Sequence, residues 1–220
     1  MLKLARYQAL ISGSDAPALE SALRGLLIHY FFHVSDKRIL RVRSGASTLN
    51  LATPTVFKGL GRITLGATTV FGVTRSPDSY ACSYVEARTP DAHIEIGDGT
   101  TLNNRAMLLS EGAGIRIGAR CLIGTGFEAM DTNAHELQPG RRHEADTRPL
   151  AIEIGDDVFI GNRVTILKGC RVGAGCVIAA GSVLPPKFTA PALSVVAGNP
   201  ARVIGPLGAG DATQALKPST

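Results

Sequence analysis

Between Met130 and Pro149 the chain reads MDTNAHELQPGRRHEADTRP, which places two histidines, three arginines and four carboxylates in one short segment. Histidine as a residue type titrates near neutrality. His135 or His143 can therefore take a proton from an attacking hydroxyl or amine and deliver it to a leaving group. The bland alternative is a pair of solvated loop histidines. His29, His33 and His93 fall outside this segment and read as structural. The cysteines, Cys82, Cys121, Cys170 and Cys176, form no CxxC pair, so no zinc knuckle and no metal site are expected.

The elements that must hold this segment announce themselves by an unusual period. An aliphatic residue returns at every sixth position through Ile154, Ile160, Ile166, Val172, Ile178 and Leu184. Four residues after each of the first five comes a slim residue: Val158, Val164, Cys170, Cys176 and Ser182. A period of six fits neither an α-helix nor an ordinary strand; it is the mark of a parallel β-helix, one short strand and one corner per unit. Three units close a triangular coil, so each inward residue stacks on the one eighteen positions later. Ile154 is expected under Val172, Ile160 under Ile178 and Ile166 under Leu184. Shorter stretches repeat the pattern: Leu65 and Phe71; Ile96, Leu102 and Leu108 with Thr100 and Ala106; Ile117 and Ile123 with Cys121. The phase jumps between Leu108 and Ile117 and between Ile123 and Ile154 mark insertions at corners, where a solenoid tolerates them. A polar insertion of the length of 130–149 inside a regular solenoid points to function. A βαβ reading fails because no stretch between the strands is patterned as a crossover helix.

The 220 residues allow one domain with appendages. Ser14 or Asp15 caps a predicted helix, in which Leu19, Leu23, Leu26, Leu27, Tyr30 and Phe31 recur at helical spacing and pack on the first coils. Residues 1–50 form this helical and irregular segment, with 35–50 as a connector. Residues 51–205 form the β-helix, with loop insertions at 73–93 and 130–149, and 206–220 is a disordered tail. The coils are expected to end at Leu184-Pro185-Pro186, because proline cannot donate into a ladder. No run of eighteen apolar residues exists, and no signal-peptide cleavage site is evident, so a cytoplasmic protein without a membrane span is expected. The formal charge of +5 comes from scattered basic residues rather than a face interleaved with aromatics, so nucleic acid is not an expected partner. Three of the four cysteines, Cys121, Cys170 and Cys176, sit at slim inward positions, where a thiol acts as a small apolar group.

The segment IEIGDDVFIGNRVTILKGCRVGAGCVIAAGSVL, followed by VVAGNPARVIG, resembles the hexapeptide-repeat acyltransferases. The resemblance runs over roughly residues 94–205 and is strongest to the galactoside and maltose O-acetyltransferase branch and to relatives that acetylate bacterial polysaccharides. It implies an all-β, left-handed parallel β-helix with an N-terminal helical segment. It implies also a homotrimer with acyl-CoA lying between adjacent β-helices, and a loop histidine as base. His135 precedes Phe159 by the spacing of that base, although Glu136 stands where the galactoside branch often has proline. Asn104, with Asn103 as the alternative, matches an asparagine that contacts the acceptor or orients the site. Asn162, Ala180 and Pro185 match positions lining the acyl-CoA groove, Pro185 where threonine is common. Gly198, Pro200 and Arg202 match the element that closes over the nucleotide end of CoA, and Lys187 supplies a second charge for its phosphates.

The implied chemistry is direct transfer from acetyl-CoA as co-substrate to a carbohydrate acceptor. Neutral His135 removes the acceptor proton, Asp131 or Glu136 orients the imidazole, and no enzyme nucleophile is needed. Three other readings share the coil: N-acetylation of an amino-nucleotide-sugar, a non-enzymatic scaffold, and a zinc-dependent carbonic anhydrase. The last requires histidines in the regular coils, and residues 154–184 contain none.

Overall fold

A computed structural model of the chain describes residues 16–42 and 49–208. The proposed caps Ser14 and Asp15, part of the expected connector and most of the expected tail lie outside the described residues. Helix α1 (Ala16–Val34) is followed by short strands arranged as a left-handed β-helix. The strands stack into three parallel sheets, one per face of a triangular prism. Face A holds β1 (Leu40–Val42), β4 (Arg62–Leu65), β7 (His93–Ile96), β10 (Ile115–Ile117), β13 (Ile152–Ile154), β16 (Arg171–Val172) and β19 (Thr189–Ala190). Face B holds β2 (Asn50–Leu51), β5 (Val70–Phe71), β8 (Thr101–Leu102), β11 (Leu122–Ile123), β14 (Phe159–Ile160), β17 (Val177–Ile178) and β20 (Ser194–Gly198). Face C holds β3 (Thr55–Gly59), β6 (Ser83–Ala87), β9 (Met107–Ser110), β12 (Glu128–Met130), β15 (Thr165–Ile166) and β18 (Val183–Leu184).

The period of six is this geometry written in sequence. Successive side chains of a strand point to opposite faces, so each two-residue strand contributes one inward and one outward residue. Every member of the long aliphatic series and of its slim companion series is buried. Ile154 pairs with Val172, Ile160 with Ile178 and Ile166 with Leu184, as the eighteen-residue spacing requires. The register survives the polar insertion, since Ile117 pairs with Ile154, Ile123 with Ile160 and Ala129 with Ile166. Corners stack as tightly as the core. A Cβ on Gly161 would lie 2.5 Å from the Ala180 amide nitrogen, so only glycine fits there.

Several boundaries differ from the sequence reading. The parallel ladder starts before residue 51: Leu40–Val42, inside the expected connector, pairs with Ile63–Leu65. The 73–93 segment is not a pure excursion, because β6 within it pairs with both β3 and β9. Its Tyr84, Val85 and Glu86 keep the alternation of a strand without the hexapeptide spacing. The coils also continue past Pro185-Pro186. Both prolines occupy a corner, where no ladder donor is required, and β19 and β20 follow in register. What ends the helix is β21 (Ala201–Pro206), which folds back antiparallel on β20. Helix α1 lies beside β3, joined by Ser35, whose hydroxyl donates to the Phe31 carbonyl and accepts from the Phe57 amide. Its stripe is less covered than expected: Leu23, Leu26 and Tyr30 are exposed.

Candidate active site

The three faces of the prism differ sharply on their outer sides. Face A carries a ladder of charge, with Glu95, Arg116, Glu153 and Arg171 in successive register, and Arg116 paired to Glu95 and Arg171 to Glu153. Face B carries an apolar column instead, in which Leu122, Phe159, Val177 and Val195 stack in register. Leu122 and Phe159 are each more than half exposed. This column floors an open groove whose polar rim includes Thr101, Asn103 and Asn162, with Ala180 beside them. The lining contains no cysteine, serine or carboxylate.

The residues singled out from the sequence separate onto two edges of the prism. Asn103, Asn104, Asn162 and Ala180 lie at corners that lead from face B to face C, while Gly198 ends β20 on face B and Arg202 follows on β21. Asn162 and Ala180 border the groove, and the Asn162 side-chain oxygen accepts from the Thr125 amide at 3.0 Å. Gly198 donates to Ser182 Oγ at 3.3 Å, and Arg202 is exposed. Asn104 does not face the groove. It is fully buried, its oxygen accepts from the Val73 amide and its nitrogen donates to the carbonyls of Val73, Ser76 and Pro77. An amide so occupied fastens the 73–77 turn and leaves nothing for an acceptor, so the neighbouring Asn103 is the asparagine on the groove.

His135, Glu136, Pro185 and Lys187 lie on the other edge, at corners leading from face C to face A. None of them lines the groove of the same chain. Lys187 is exposed and adopts a positive φ of 65° above Gly169. Pro185 is half-buried, and its carbonyl accepts from Phe188 at 3.1 Å. The 130–149 segment is a hairpin-like excursion rather than open coil. His135 bridges Ala145, the Glu136 amide donates to the Glu144 carbonyl at 3.0 Å, and a 3₁₀ turn at Pro139–Arg141 forms the tip. His135 and His143 are both exposed, and among the described residues no side-chain hydrogen bond to either is formed.

Neither proposed orienting carboxylate meets His135. Asp131 is buried and accepts from Ser110 Oγ at 2.7 Å, the Glu111 amide at 2.8 Å and the Gly114 amide at 2.7 Å. Glu136 accepts from Thr147 Oγ1 at 2.9 Å, and that hydroxyl holds its carboxyl below the usual range. Asp131 fastens the hairpin to the 110–114 turn of the preceding coil, and Glu136 binds Thr147 across the hairpin, so neither carboxylate is left for the imidazole.

Sequence reasoning missed Asp146 and Lys168. Asp146 is buried near the base of the hairpin. Its Oδ2 accepts from the Asn133 amide at 2.9 Å and from Lys168 Nζ, and its Oδ1 accepts from the Arg148 amide at 3.0 Å. Burial alone would raise its pKa, but the Lys168 ammonium and the two amides outweigh it and hold the carboxyl down at about 2. Lys168, at the corner after β15, also donates to the Arg148 carbonyl at 2.9 Å. The one available signal was a lysine in TILKG at a corner that needs no charge. The buried cysteines are packing groups: burial pushes the Cys170 thiol up to about 11, far from a reactive thiolate.

Comparison with known proteins agrees with the repeat and the fold. Residues 151–186 match the bacterial transferase hexapeptide (six repeats) family model. A polysialic acid O-acetyltransferase of Neisseria meningitidis is 32% identical over 79 residues, 36% of this chain and 37% of that protein. The chain thus aligns with just over a third of that relative's length. The solved polysialic acid O-acetyltransferase OatWY superposes with a TM-score of 0.54 at 22% identity, covering 76% of this chain and 84% of that one. The polySia-specific acetyltransferase NeuO superposes with a TM-score of 0.50 at 20% identity, covering 79% and 84%. The resemblance read from the sequence is borne out: the chain carries the hexapeptide repeat and the β-helix of these acetyltransferases. No helix among the described residues is long and apolar enough to cross a membrane, and no three of their His, Cys, Asp or Glu side chains are grouped to hold a metal ion.

Proposed function

We propose that the protein is an acetyl-CoA-dependent O-acetyltransferase acting on a hydroxyl of a sugar or polysaccharide precursor. The observation that carries this reading is the division of the candidate residues between two edges of one prism. A groove with an apolar floor runs along face B, and a histidine hairpin stands at the far edge of face C. Neither is a complete site. In a threefold assembly, face B of one subunit meets face C of the next, and the hairpin of one copy closes the groove of its neighbour. The residues suit acetyl-CoA: Leu122, Phe159 and Val177 offer an apolar bed for the pantetheine arm, and exposed Arg202 can pair with phosphate. The homotrimer rests on this reading, and the carbohydrate acceptor on the names of the polysialic acid O-acetyltransferases to which the chain is similar.

In this mechanism His135 accepts the acceptor hydroxyl proton as the oxygen attacks the thioester carbonyl, and the imidazolium then protonates the leaving sulfur. The groove's lack of cysteine, serine and carboxylate supports direct transfer without an acyl-enzyme. The test is subunit mixing. His135→Ala should keep its trimeric mass by light scattering and its acetyl-CoA affinity, while acetyl transfer to a sugar panel falls by about two to four orders of magnitude. Val177→Asp, which spoils only the groove, should also be inactive. Unfolding and refolding the two together should restore about a quarter of wild-type activity, one half of loops times one half of grooves being intact. A monomeric protein, or no recovery on mixing, would refute the shared site. Full activity of His135→Ala would refute the base.

A further inference from the structure

The hairpin that carries His135 is held at its base by polar side chains that the chemistry above leaves unused. Thr132 Oγ1 lies 2.7 Å from Glu111 Oε2 and accepts from the Ala134 amide at 2.9 Å. Glu111 is in turn tied by Arg88, which also holds Glu86. On the other side Asp146 joins the two arms of the hairpin through the Asn133 and Arg148 amides, and Lys168 anchors that carboxylate to the next coil. The side chains of Asp146 and Lys168 are only 4% and 11% exposed, in contrast to the largely exposed ion pairs on face A. Between the two anchors Ala134 takes a left-handed φ of 62°, a conformation that a residue with a Cβ rarely adopts unless its surroundings impose it. His135 follows directly, and its bridge partner Ala145 directly precedes Asp146. Asp146 is thus one residue removed from the position directly opposite His135 in this isolated bridge.

A buried ion pair is a poor source of net stability, because desolvation offsets most of the attraction. What it does supply here is a single geometry: Asp146 and Lys168 bind each other, Asp146 also accepts from the Thr132 hydroxyl, and together they hold the Asn133 amide and both the amide and the carbonyl of Arg148, on the two arms of the hairpin. We propose that Asp146 and Lys168 are positioning residues, which lock the hairpin base to the β15 corner and thereby set where His135 stands over the neighbouring groove. This rests on the function proposed above. It adds that the catalytic geometry is set by a salt bridge remote from the acetyl group.

The experiment compares wild type, Asp146→Asn, Lys168→Met and Lys168→Arg by two independent readouts. The first is hydrogen exchange of the 133–148 amides. Asp146→Asn and Lys168→Met should exchange at least about tenfold faster there, while the coil amides stay protected. The second is acetyl transfer. In both variants kcat should fall at least about tenfold, with acetyl-CoA affinity within about twofold of wild type, because misplacing a catalytic group costs rate rather than cofactor binding. Lys168→Arg should restore most of kcat, and the Asp146→Asn/Lys168→Met double variant should be no worse than either single change. Unchanged exchange in the hairpin would overturn the locking role. Faster exchange with unchanged kcat would overturn the positioning role. If wild type transfers no acetyl group while the hairpin still loosens in the variants, the proposed function fails and the lock stands. Asp146→Asn keeps shape and volume, so it remains informative if Lys168→Met fails to fold.

Discussion

Ile178 and Val177 are neighbours in one two-residue strand, and opposite fates are expected for them. Ile178 is fully buried and paired between Ile160 below and Val196 above. Val177 points outward and floors the groove. Truncating Ile178 to alanine removes methylene groups from a stack with no spare space, which costs about 3 kcal/mol. For a chain of this size that lowers Tm by about 6–12 °C. Ile178→Asp places an unpaired charge in the same stack, and the variant should not fold. Val177→Asp changes the half-buried outer side of the strand and leaves the inward stack intact, so the variant should fold and melt cooperatively. It does put a carboxylate on the apolar bed, and acetyl-CoA affinity should fall at least about tenfold through the loss of that contact. Circular dichroism melts and titration calorimetry measure the two quantities. A soluble, cooperatively melting Ile178→Asp together with an unfolded Val177→Asp would invert the register. A stable Val177→Asp that binds acetyl-CoA like wild type would remove the groove from the site.

Two further outcomes follow from single residues. Arg202→Ala should weaken acetyl-CoA more than dephospho-acetyl-CoA in calorimetry if the guanidinium meets the 3′-phosphate, and equal losses would take Arg202 out of that role. The Asp146 lock should be insensitive to pH across the assay range. Its carboxyl is held at about 2 in the folded chain, below the ordinary value of 3.8, so its contribution is complete above the ordinary value and fades only as pH falls towards 2. Protection of the Asn133 amide against exchange should follow that curve, and a loss of protection between pH 5 and 7 would contradict it.

How much of this was legible beforehand depends on the kind of residue. The inward series from Ile154 to Leu184 could be read directly, because a strand of two residues and a fixed corner turn burial into a strict spacing in sequence. The eighteen-residue register followed from the same arithmetic, and so did the role of Cys170 and Cys176 as slim core groups. The coil's limits could not be read so well. Leu40–Val42 and Ser83–Ala87 join the sheets through ladder pairing alone, and Pro185-Pro186 fits a corner that needs no donor. A period carries information only where the repeat is regular.

The site divides in the same way. Sequence marked 130–149 as an insertion by its polarity, a local fact, and the family resemblance singled out His135 within it as the expected base. Tertiary structure alone decided that Asn104 spends its amide on the 73–77 turn while Asn103 meets the groove, because adjacent residues at a corner point in different directions. It also decided that Asp131 and Glu136 bind backbone and Thr147 rather than the imidazole. Nothing in the spacing of Asp146 and Lys168 announces their pairing: β13, β14 and β15 lie between them, and they meet only because the hairpin folds back on the corner of the next coil. The separation of groove and histidine onto different edges is a property of the closed prism. A linear repeat specifies which residues turn inward, and the closure of three faces specifies which outward residues can ever share a site.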